Sequence, residues 1–308
     1  MKAVILGASG ILGQHMRACV PIGVEPLWFR RQADALHIGF DLDRPDVELD
    51  ALLSRLSPDL VINLAGENRV DVVEKDPEAF HRINVDLPMT LASWCHRSGA
   101  HYLHISTNGV FSGNEAPYGP GSPRNPVNRY GRQKMIAEDL VMKFDRWTIA
   151  RLTFIVGVRL IDACRRNPAE DMLEKPRQIQ TMDRWFSPCF AGDAASVLWR
   201  LAAGPATGEI FHIGLPFTTS RHQIAEHLNS LNGEVNEIEA VDSSRFPEIA
   251  PRPIDTTWAE GALPAASGSA HQAFVNGLSR CYQEWIDKKN GARGLPETQE
   301  KSVSKRTA

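Results

Sequence analysis

Apolar and polar positions alternate along the first half of the chain in blocks that predict strands and helices in turn. Short, mostly apolar runs, typical of strands in a buried parallel sheet, lie at residues 2–6, 24–29, 36–40, 60–64, 102–106 and 147–156. Helical patterns lie at residues 14–20, 46–56 and 77–98, and another helix begins at Tyr130. Strands that alternate with helices predict an α/β fold with a doubly wound parallel sheet.

The pattern is looser beyond Gly157. It predicts helices at residues 160–166, 193–203, 221–231 and 270–288, and strands at residues 177–181 and 209–213. We expect a dinucleotide-binding domain over residues 1–157, to which residues 189–214 return, and a smaller substrate-binding lobe over residues 158–288. Residues 289–308 have few apolar side chains and many Lys, Glu, Ser and Thr, which predicts a disordered tail.

Composition narrows the classes of partner. A net charge of -3 and a pI near 6.4 provide no basic surface for nucleic acid. The five cysteines are scattered, without a C-x-x-C pair, which favours free thiols over a disulfide framework or a zinc site. No apolar run is long enough to span a membrane, and the first residues do not resemble a signal peptide. The expectation is a soluble, cytoplasmic protein with no metal site.

A glycine-rich turn follows the first predicted strand. Gly7, Gly10 and Gly13 have the spacing G-x-x-G-x-x-G, and strand, glycine turn and helix together place a pyrophosphate on a helix N-terminus. A purely structural turn is the alternative. The second strand ends at Arg30 and Arg31, where an arginine can bind the 2′-phosphate of NADPH. NADPH is therefore favoured over NADH, although two solvated loop cations would give the same sequence.

Tyr130 and Lys134 are the candidate catalytic pair. Residues four apart lie on one face of a helix, so the phenol and the ammonium point to the same region. A phenol titrates near pH 10, and a neighbouring cation is expected to lower its pKa towards the working range. Two solvated helix residues are the alternative, but the upstream glycine turn and the Ile105-Ser106-Thr107 strand end favour catalysis.

These motifs resemble the extended short-chain dehydrogenase/reductases, and among them the dTDP-4-dehydrorhamnose reductase branch of sugar-nucleotide 4-keto reductases. The residues that carry the resemblance, over roughly residues 1–260, are Asn63-Leu64-Ala65-Gly66, Val70-Asp71, Glu74, Pro77-Glu78, Ile83-Asn84, Ser106-Thr107, Val110-Phe111, Gly113, Pro126, Asn128, Tyr130-Gly131, Lys134, Ala137-Glu138, Asp183, Ser187-Pro188, Asp193 and Arg252-Pro253. The resemblance implies a Rossmann fold with a smaller C-terminal substrate lobe.

The resemblance also implies a role for each matched position. For the cofactor these are Gly7, Gly10, Gly13 and the amides of Ile11 and Leu12 at the pyrophosphate, Arg30 and Arg31 at the 2′-phosphate, Asp41 and Leu42 beside the adenine, Ala65 and Gly66 beneath the phosphates, and Thr153 beside the nicotinamide. Thr107 would hydrogen-bond the substrate oxygen, Tyr130 would be the acid/base, and Lys134 would hold the ribose hydroxyls. The substrate would also meet Asn108, Phe154, Trp185 and Arg252.

The sequence departs from the branch at several substrate positions. Asn108-Gly109 replaces Asp-Tyr, and Phe154 stands where the branch usually has Trp. The implied function is an NADPH-dependent reductase of a nucleotide-linked 4-keto-6-deoxy sugar in deoxysugar or polysaccharide biosynthesis, with the identity of the sugar open. The alternatives are a nucleotide-sugar epimerase or dehydratase with bound NAD, and a non-catalytic cofactor-binding regulatory subunit. A homodimer is one candidate oligomeric state.

Three histidines are interpreted as structural, and two arginines have a possible substrate role. His101 and His104 lie on opposite faces of a strand, so we expect surface histidines or hydrogen-bonded core histidines and not a metal pair. His212 lies in a predicted buried strand. Arg221 and Arg252 could bind a substrate pyrophosphate, with ordinary surface charge as the alternative for Arg221.

Overall fold

A seven-stranded parallel sheet forms the centre of the protein in the computed structural model, which describes residues 1–162, 164–205, 208–247, 249–261 and 269–291. The described strands are β1 Lys2–Leu6, β2 Glu25–Arg30, β3 Ile38–Gly39, β4 Leu60–Asn63, β5 His101–Thr107, β6 Trp147–Leu152, β7 Ile155–Val156, β8 Arg177–Thr181, β9 Trp185–Phe186, β10 Cys189–Phe190, β11 Glu209–Ile213, β12 Glu237–Val241 and β13 Asp255–Thr256. The strand order β11-β6-β5-β4-β1-β2-β3 reverses direction at β1, as in doubly wound folds. The predicted fold class is confirmed.

Helices cover both faces of this sheet. They are α1 Ile11–Ala18, α2 Asp46–Leu56, α3 Val70–Lys75, α4 Pro77–His81, α5 Leu87–Ser98, α6 Arg129–Val141, α7 Pro168–Glu174, α8 Ala191–Ala203, α9 Arg221–Leu231 and α10 Ala270–Lys289. Alternate residues of a strand point to opposite faces. Ile5 therefore packs in one core with Met16 of α1, and Val4 packs in a second core with Leu53 of α2.

The part of the chain after β7 builds three two-stranded sheets and returns once to the main sheet. Strands β8 and β12, β9 and β13, and β7 and β10 form the small parallel pairs. Strand β11 pairs with β6 along Glu209–Ile213, at the edge of the main sheet. The division into a cofactor domain and a substrate lobe stays a prediction, and most of the predicted tail lies outside the described residues.

Two predicted helices differ from the structure. Residues 160–162 and 164–166 form no helix, and the amides of Leu160 and Ile161 donate to the Gln14 side chain at 2.8 and 3.0 Å. The predicted helix at residues 77–98 is interrupted by a π-helical turn at Arg82–Asp86. That turn lets Asn84 point inward, where its side chain binds the backbone of Glu67.

The pattern missed α7 and β12, whose predicted neighbours β8 and α9 have the expected bounds. The single strand predicted at residues 147–156 is divided into β6 and β7. Among the described residues no helix is long and apolar enough to cross a membrane, and no cluster of three metal-binding side chains is found.

Candidate active site

The carboxyl ends of β1, β4, β5 and β6 bring the candidate residues to one edge of the sheet. Gly7 follows β1, Ala65 and Gly66 follow β4, Thr107 ends β5, and Thr153 follows β6. Because these strands are adjacent and parallel, the four segments lie side by side. This edge, at the point where strand order reverses, is where doubly wound folds bind ligands.

The glycine turn is closely packed and has an open helix N-terminus. Gly7 has φ +75°, and a β-carbon there would lie 2.6 Å from the amide nitrogen of Ala65. A β-carbon on Gly13 would lie 2.3 Å from the carbonyl oxygen of Ala8. Gly10 caps α1 without a side chain, and the first turn carries no acidic residue, so the amides of Ile11 and Leu12 fit an anion such as a pyrophosphate.

The two arginines at the end of β2 are engaged with carboxylates. Arg30 contacts Asp34 at 2.5 Å, and Arg31 contacts Asp43 at 2.9 Å and Asp41 at 3.4 Å. Burial acts to raise the pKa of Asp34, but hydrogen bonds from its neighbours hold that pKa well below its usual value. Both guanidinium groups therefore already have an anionic partner, and their role at a 2′-phosphate stays a prediction. Leu42 is half-buried against the core beneath this loop.

Thr107 and Tyr130 meet at the end of β5. A β-carbon on Gly109 would lie 3.4 Å from the Thr107 hydroxyl oxygen and 3.9 Å from Cδ1 of the Tyr130 ring, so both side chains border Gly109. The Thr107 hydroxyl accepts from the Gly109 amide at 3.1 Å and donates to Asn108 Oδ1 at 3.3 Å. Helix α6 can approach this closely because residue 131 is glycine. A β-carbon on Gly131 would lie 2.1 Å from the Gly109 carbonyl oxygen. A hydroxyl and a phenol thus converge where a substrate oxygen could bind.

The expectation that Lys134 lowers the pKa of Tyr130 is wrong. Burial raises the pKa of Tyr130 to about 12, the nearby Thr107 side chain opposes the rise, and the charge of Glu67 adds to it. The Lys134 ammonium instead donates to the Ile105 carbonyl oxygen at 2.7 Å and contacts His104 Nε2 at 3.2 Å. The phenol therefore remains protonated at neutral pH, which suits a proton donor.

The two strand histidines are buried and hydrogen-bonded, as expected, but they differ in their partners. His101 contacts the Ala202 carbonyl oxygen and the Thr148 hydroxyl, away from the candidate site. His104 contacts Lys134, one of the candidate catalytic residues. Sequence reasoning missed this contact, because it joins β5 to α6 and the sequence pattern of neither element shows it.

Glu138 anchors α6 to the sheet one helical turn beyond Lys134. Its carboxylate accepts from Arg151 at 2.8 and 2.9 Å, from Arg124 at 3.0 Å and from the Ser106 hydroxyl at 2.5 Å. Burial acts to raise the pKa of Glu138, but these partners, Arg151 foremost, hold it below its usual value. The buried carboxylate thus fixes the strand end that carries Thr107 relative to the helix that carries Tyr130.

The predicted substrate residues are distributed around this centre. Phe154 packs on Phe186, with ring centroids 5.1 Å apart, and the Arg221 guanidinium lies 5.3 Å from the Phe154 ring. Arg221 Nε is buried without a hydrogen-bond partner among the described residues. Burial lowers the pKa of Arg221, and the charge of Asp171 acts against that shift.

The remaining candidates serve structural contacts at the rim. Asn108 donates to the Thr256 hydroxyl at 2.6 Å, and Arg252 forms an ion pair with Asp71 at 2.9 Å. The Trp185 amide donates to a backbone carbonyl, since Trp185 belongs to β9. The Thr153 hydroxyl donates to the Ser187 carbonyl oxygen. The cofactor role of Thr153 and the substrate roles of Asn108, Trp185 and Arg252 stay predictions.

Comparison with known proteins gives consistent matches. The profile of the RmlD substrate binding domain family matches residues 1–286. The dTDP-4-dehydrorhamnose reductase of Burkholderia thailandensis is 29% identical over 292 residues, covering 87% of this chain and 93% of that protein. The methionine adenosyltransferase 2 subunit beta of Xenopus tropicalis is 28% identical over 228 residues, covering 68% and 66%.

A solved structure shows the same fold. The dTDP-4-dehydrorhamnose reductase of Bacillus anthracis, in complex with NADP, superposes with a TM-score of 0.78 at 21% identity, over 92% of this chain and 99% of that one. The predicted resemblance to this branch of the extended short-chain dehydrogenase/reductases is confirmed.

Proposed function

The chain belongs to the RmlD substrate binding domain family, and from that premise we propose that it is an NADPH-dependent reductase of a nucleotide-diphosphate 4-keto-6-deoxy sugar. The observation that carries the proposal is the placement of the Thr107 hydroxyl and the Tyr130 ring around Gly109 at the carboxyl edge of the sheet. A hydroxyl and a protonated phenol at that position suit a ketone oxygen that gains negative charge.

The cofactor would lie across the glycine turn. The amides of Ile11 and Leu12 would bind its pyrophosphate, and Arg30 and Arg31 would bind the 2′-phosphate once released from their carboxylate partners. NADH is the alternative cofactor. When bound, the nicotinamide supplies the hydride, and the protein supplies orientation and electrostatic stabilisation.

The chain's own part in the reaction is proton supply and charge stabilisation. The Thr107 hydroxyl would donate a hydrogen bond to the substrate oxygen, and Tyr130 would transfer its phenolic proton to that oxygen. Because the pKa of Tyr130 is raised to about 12, the phenol is protonated throughout the neutral range. Lys134 would hold the ribose hydroxyls of the cofactor.

The anionic substrate has a candidate partner in Arg221. Its guanidinium lies against Phe154, which follows β6 beside Thr153, and its Nε has no hydrogen-bond partner in the described part of the chain. A fork-shaped cation of this kind suits the pyrophosphate of a sugar nucleotide. The proposed role is a step of deoxysugar or polysaccharide biosynthesis in the cytoplasm.

A non-catalytic regulatory role is the second candidate. It is favoured by the similarity to methionine adenosyltransferase subunits and by the contacts of Lys134, whose ammonium is turned to Ile105 and His104. The presence of Thr107, Tyr130 and Lys134 together favours the reductase. An epimerase with bound NAD would use the same pair, and would retain NAD through purification.

The test is NADPH oxidation with a panel of dTDP-, UDP- and GDP-linked 4-keto-6-deoxy sugars, with NADH run in parallel. Turnover of one panel member, with a product two hydrogens heavier by mass spectrometry, is the expected result. Binding of NADPH without turnover of any member would contradict the reductase and support the regulatory subunit. NAD that copurifies with the protein would instead support the epimerase.

A further inference from the structure

A chain of buried polar side chains runs from Lys134 into the sheet. Lys134 Nζ contacts His104 Nε2 at 3.2 Å, and His104 Nδ1 contacts the Tyr102 hydroxyl at 3.2 Å. The Tyr102 hydroxyl accepts from Asn63 Nδ2 at 3.4 Å, and Asn63 Oδ1 accepts from the Ala65 amide at 3.1 Å. The chain therefore joins the candidate catalytic helix to the loop that follows β4.

The donor and the acceptor in each hydrogen bond follow from the two groups that end the chain, the Lys134 ammonium and the Ala65 amide. A protonated lysine has no lone pair, so His104 Nε2 must accept and His104 Nδ1 must carry the ring proton. Since the Ala65 amide can only donate, it fixes the oxygen of the Asn63 side chain and turns the Asn63 amino group towards Tyr102. With the proton of His104 on Nδ1 and the amino group of Asn63 turned to Tyr102, the Tyr102 oxygen accepts from both side chains. This one tautomer and this one amide orientation are consistent with every contact of the chain.

Packing alone does not explain these residues. Tyr102 and His104 are 0% exposed, Asn63 is 1% exposed and Lys134 is 5% exposed. Burial of polar groups is costly unless each is hydrogen-bonded, and apolar side chains would fill a strand interior at lower cost. Position 104 of β5 instead carries an imidazole, which contacts the ammonium of Lys134. Lys134 is the residue that we assign to the cofactor ribose.

We propose that His104, held in one tautomer by Tyr102 and Asn63, is a positioning residue that accepts a hydrogen bond from Lys134 and fixes its ammonium beside the cofactor ribose. The consequence for catalysis rests on the proposed function, which gives Lys134 that role. The contact itself does not. By the same chain, the position of Lys134 is tied to the Ala65-Gly66 loop, on which the cofactor phosphates would lie.

The electrostatics agree with this arrangement. Burial, and then the charge of Lys134, lower the pKa of His104 well below its usual value, so the imidazole stays neutral and remains an acceptor. Burial lowers the pKa of Lys134 to about 8, and Glu138 on the same helix acts against that shift. The titratable groups described around Lys134 are His104 on β5, and Tyr130 and Glu138 on α6.

The test is NMR of the full chain labelled in histidine and lysine. Nitrogen shifts of His104 report which ring nitrogen carries the proton, and the carbon shift of the Lys134 side chain reports its titration. Variants are His104→Leu, which removes the acceptor, His104→Gln, which can restore an acceptor oxygen, and Tyr102→Phe. His101→Leu is the matched control, since His101 is also a buried histidine of β5 and its hydrogen bonds go to Ala202 and Thr148.

We expect the Nδ1–H tautomer of His104 and a Lys134 pKa near 8 in the wild type. His104→Leu should lower that pKa by about one unit, because the charged form loses an acceptor. Tyr102→Phe should lower it less, and His104→Gln and His101→Leu should leave it close to the wild-type value. If His104→Leu does not fold, the tautomer of His104 in the wild type and the titration of Lys134 in Tyr102→Phe still test the proposal.

An Nε2–H tautomer, or a Lys134 titration that is equal in all variants, would overturn the proposal. Neither measurement requires cofactor or substrate, so each is independent of NADPH oxidation. If no keto sugar is reduced but the NMR results are as expected, the reductase proposal fails and the contact between His104 and Lys134 still stands. As a functional readout, the NADPH dissociation constant at pH 8 should rise in His104→Leu and not in His101→Leu.

Discussion

Glu138 of α6 and Arg151 of β6 form a two-point ion pair in the protein interior, with oxygen–nitrogen distances of 2.8 and 2.9 Å and side chains 0% and 1% exposed. Two charges in the interior are stable only when their hydrogen bonds are satisfied. Here Ser106 and Arg124 complete the set around the carboxylate. The pair fixes the helix of Tyr130 to the sheet.

Removal of this buried charge should be costly. Glu138→Gln leaves Arg151 buried without its partner, and we expect the free energy of unfolding in urea to fall by about 3 kcal/mol. Asp139→Asn is the control, because Asp139 also pairs with Arg124 but is 47% exposed, and its loss should cost about 1 kcal/mol or less. Equal losses of unfolding free energy in the two variants would show that the buried ion pair stabilises the protein no more than the exposed one.

The same carboxylate should contribute to acid sensitivity. The pKa of Glu138 is lower in the folded protein than in the unfolded chain, so its contribution to stability is present above about pH 4.5 and is lost as pH falls below that value. In urea unfolding between pH 3 and 7, wild type should therefore lose more stability on acidification than Glu138→Gln. Parallel pH curves for the two proteins would contradict this assignment.

Part of the first half of the fold could be predicted because strands such as β1 and β4 are buried on both faces and are therefore almost wholly apolar. The glycine turn could also be recognised in the sequence, because Gly7 and Gly13 lie where the structure has no room for a β-carbon. The later segments are short elements with few local signals. The helix predicted at residues 160–166 is absent from residues 160–162 and 164–166, where the amides of Leu160 and Ile161 donate to the distant Gln14 side chain.

The contacts of the candidate site could be predicted only in part. The sequence predicted that a helix begins at Tyr130, and Tyr130 and Lys134 both lie on α6. Helical spacing cannot show which acceptors the lysine finds on a neighbouring strand. Those acceptors, His104 and the Ile105 carbonyl, come from another strand. The raised pKa of Tyr130 depends on tertiary burial, which the sequence pattern of one helix does not contain.

The contact between Gly131 and Gly109 should not tolerate a methyl group. Gly131→Ala would gain helix propensity, but its β-carbon would lie 2.1 Å from the Gly109 carbonyl oxygen, so we expect a net loss of roughly 1–3 kcal/mol in unfolding free energy. Gly121→Ala is the control, since no atom lies within 4 Å of its β-carbon position and its φ is not positive. A stable Gly131→Ala protein would show that α6 can shift freely.

Cofactor choice should depend on Arg30. If its guanidinium binds a 2′-phosphate, Arg30→Gln should raise the NADPH dissociation constant roughly tenfold and change that for NADH by less than about twofold. Cofactor fluorescence titration measures both constants. Arg55→Gln, on the exposed side of α2, serves as the control for net charge. A proportional loss of NADPH and NADH affinity would assign Arg30 to loop structure instead.

The most direct test of the account is single-turnover oxidation of bound NADPH by stopped-flow, with the keto-sugar identified by the panel, in wild type and Tyr130→Phe. The loss of the proton donor should slow hydride transfer by about 10²–10⁴-fold, while the NADPH dissociation constant stays near the wild-type value. Hydride transfer at the wild-type rate in Tyr130→Phe would contradict the assignment of Tyr130 as the acid, and with it the proposed mechanism.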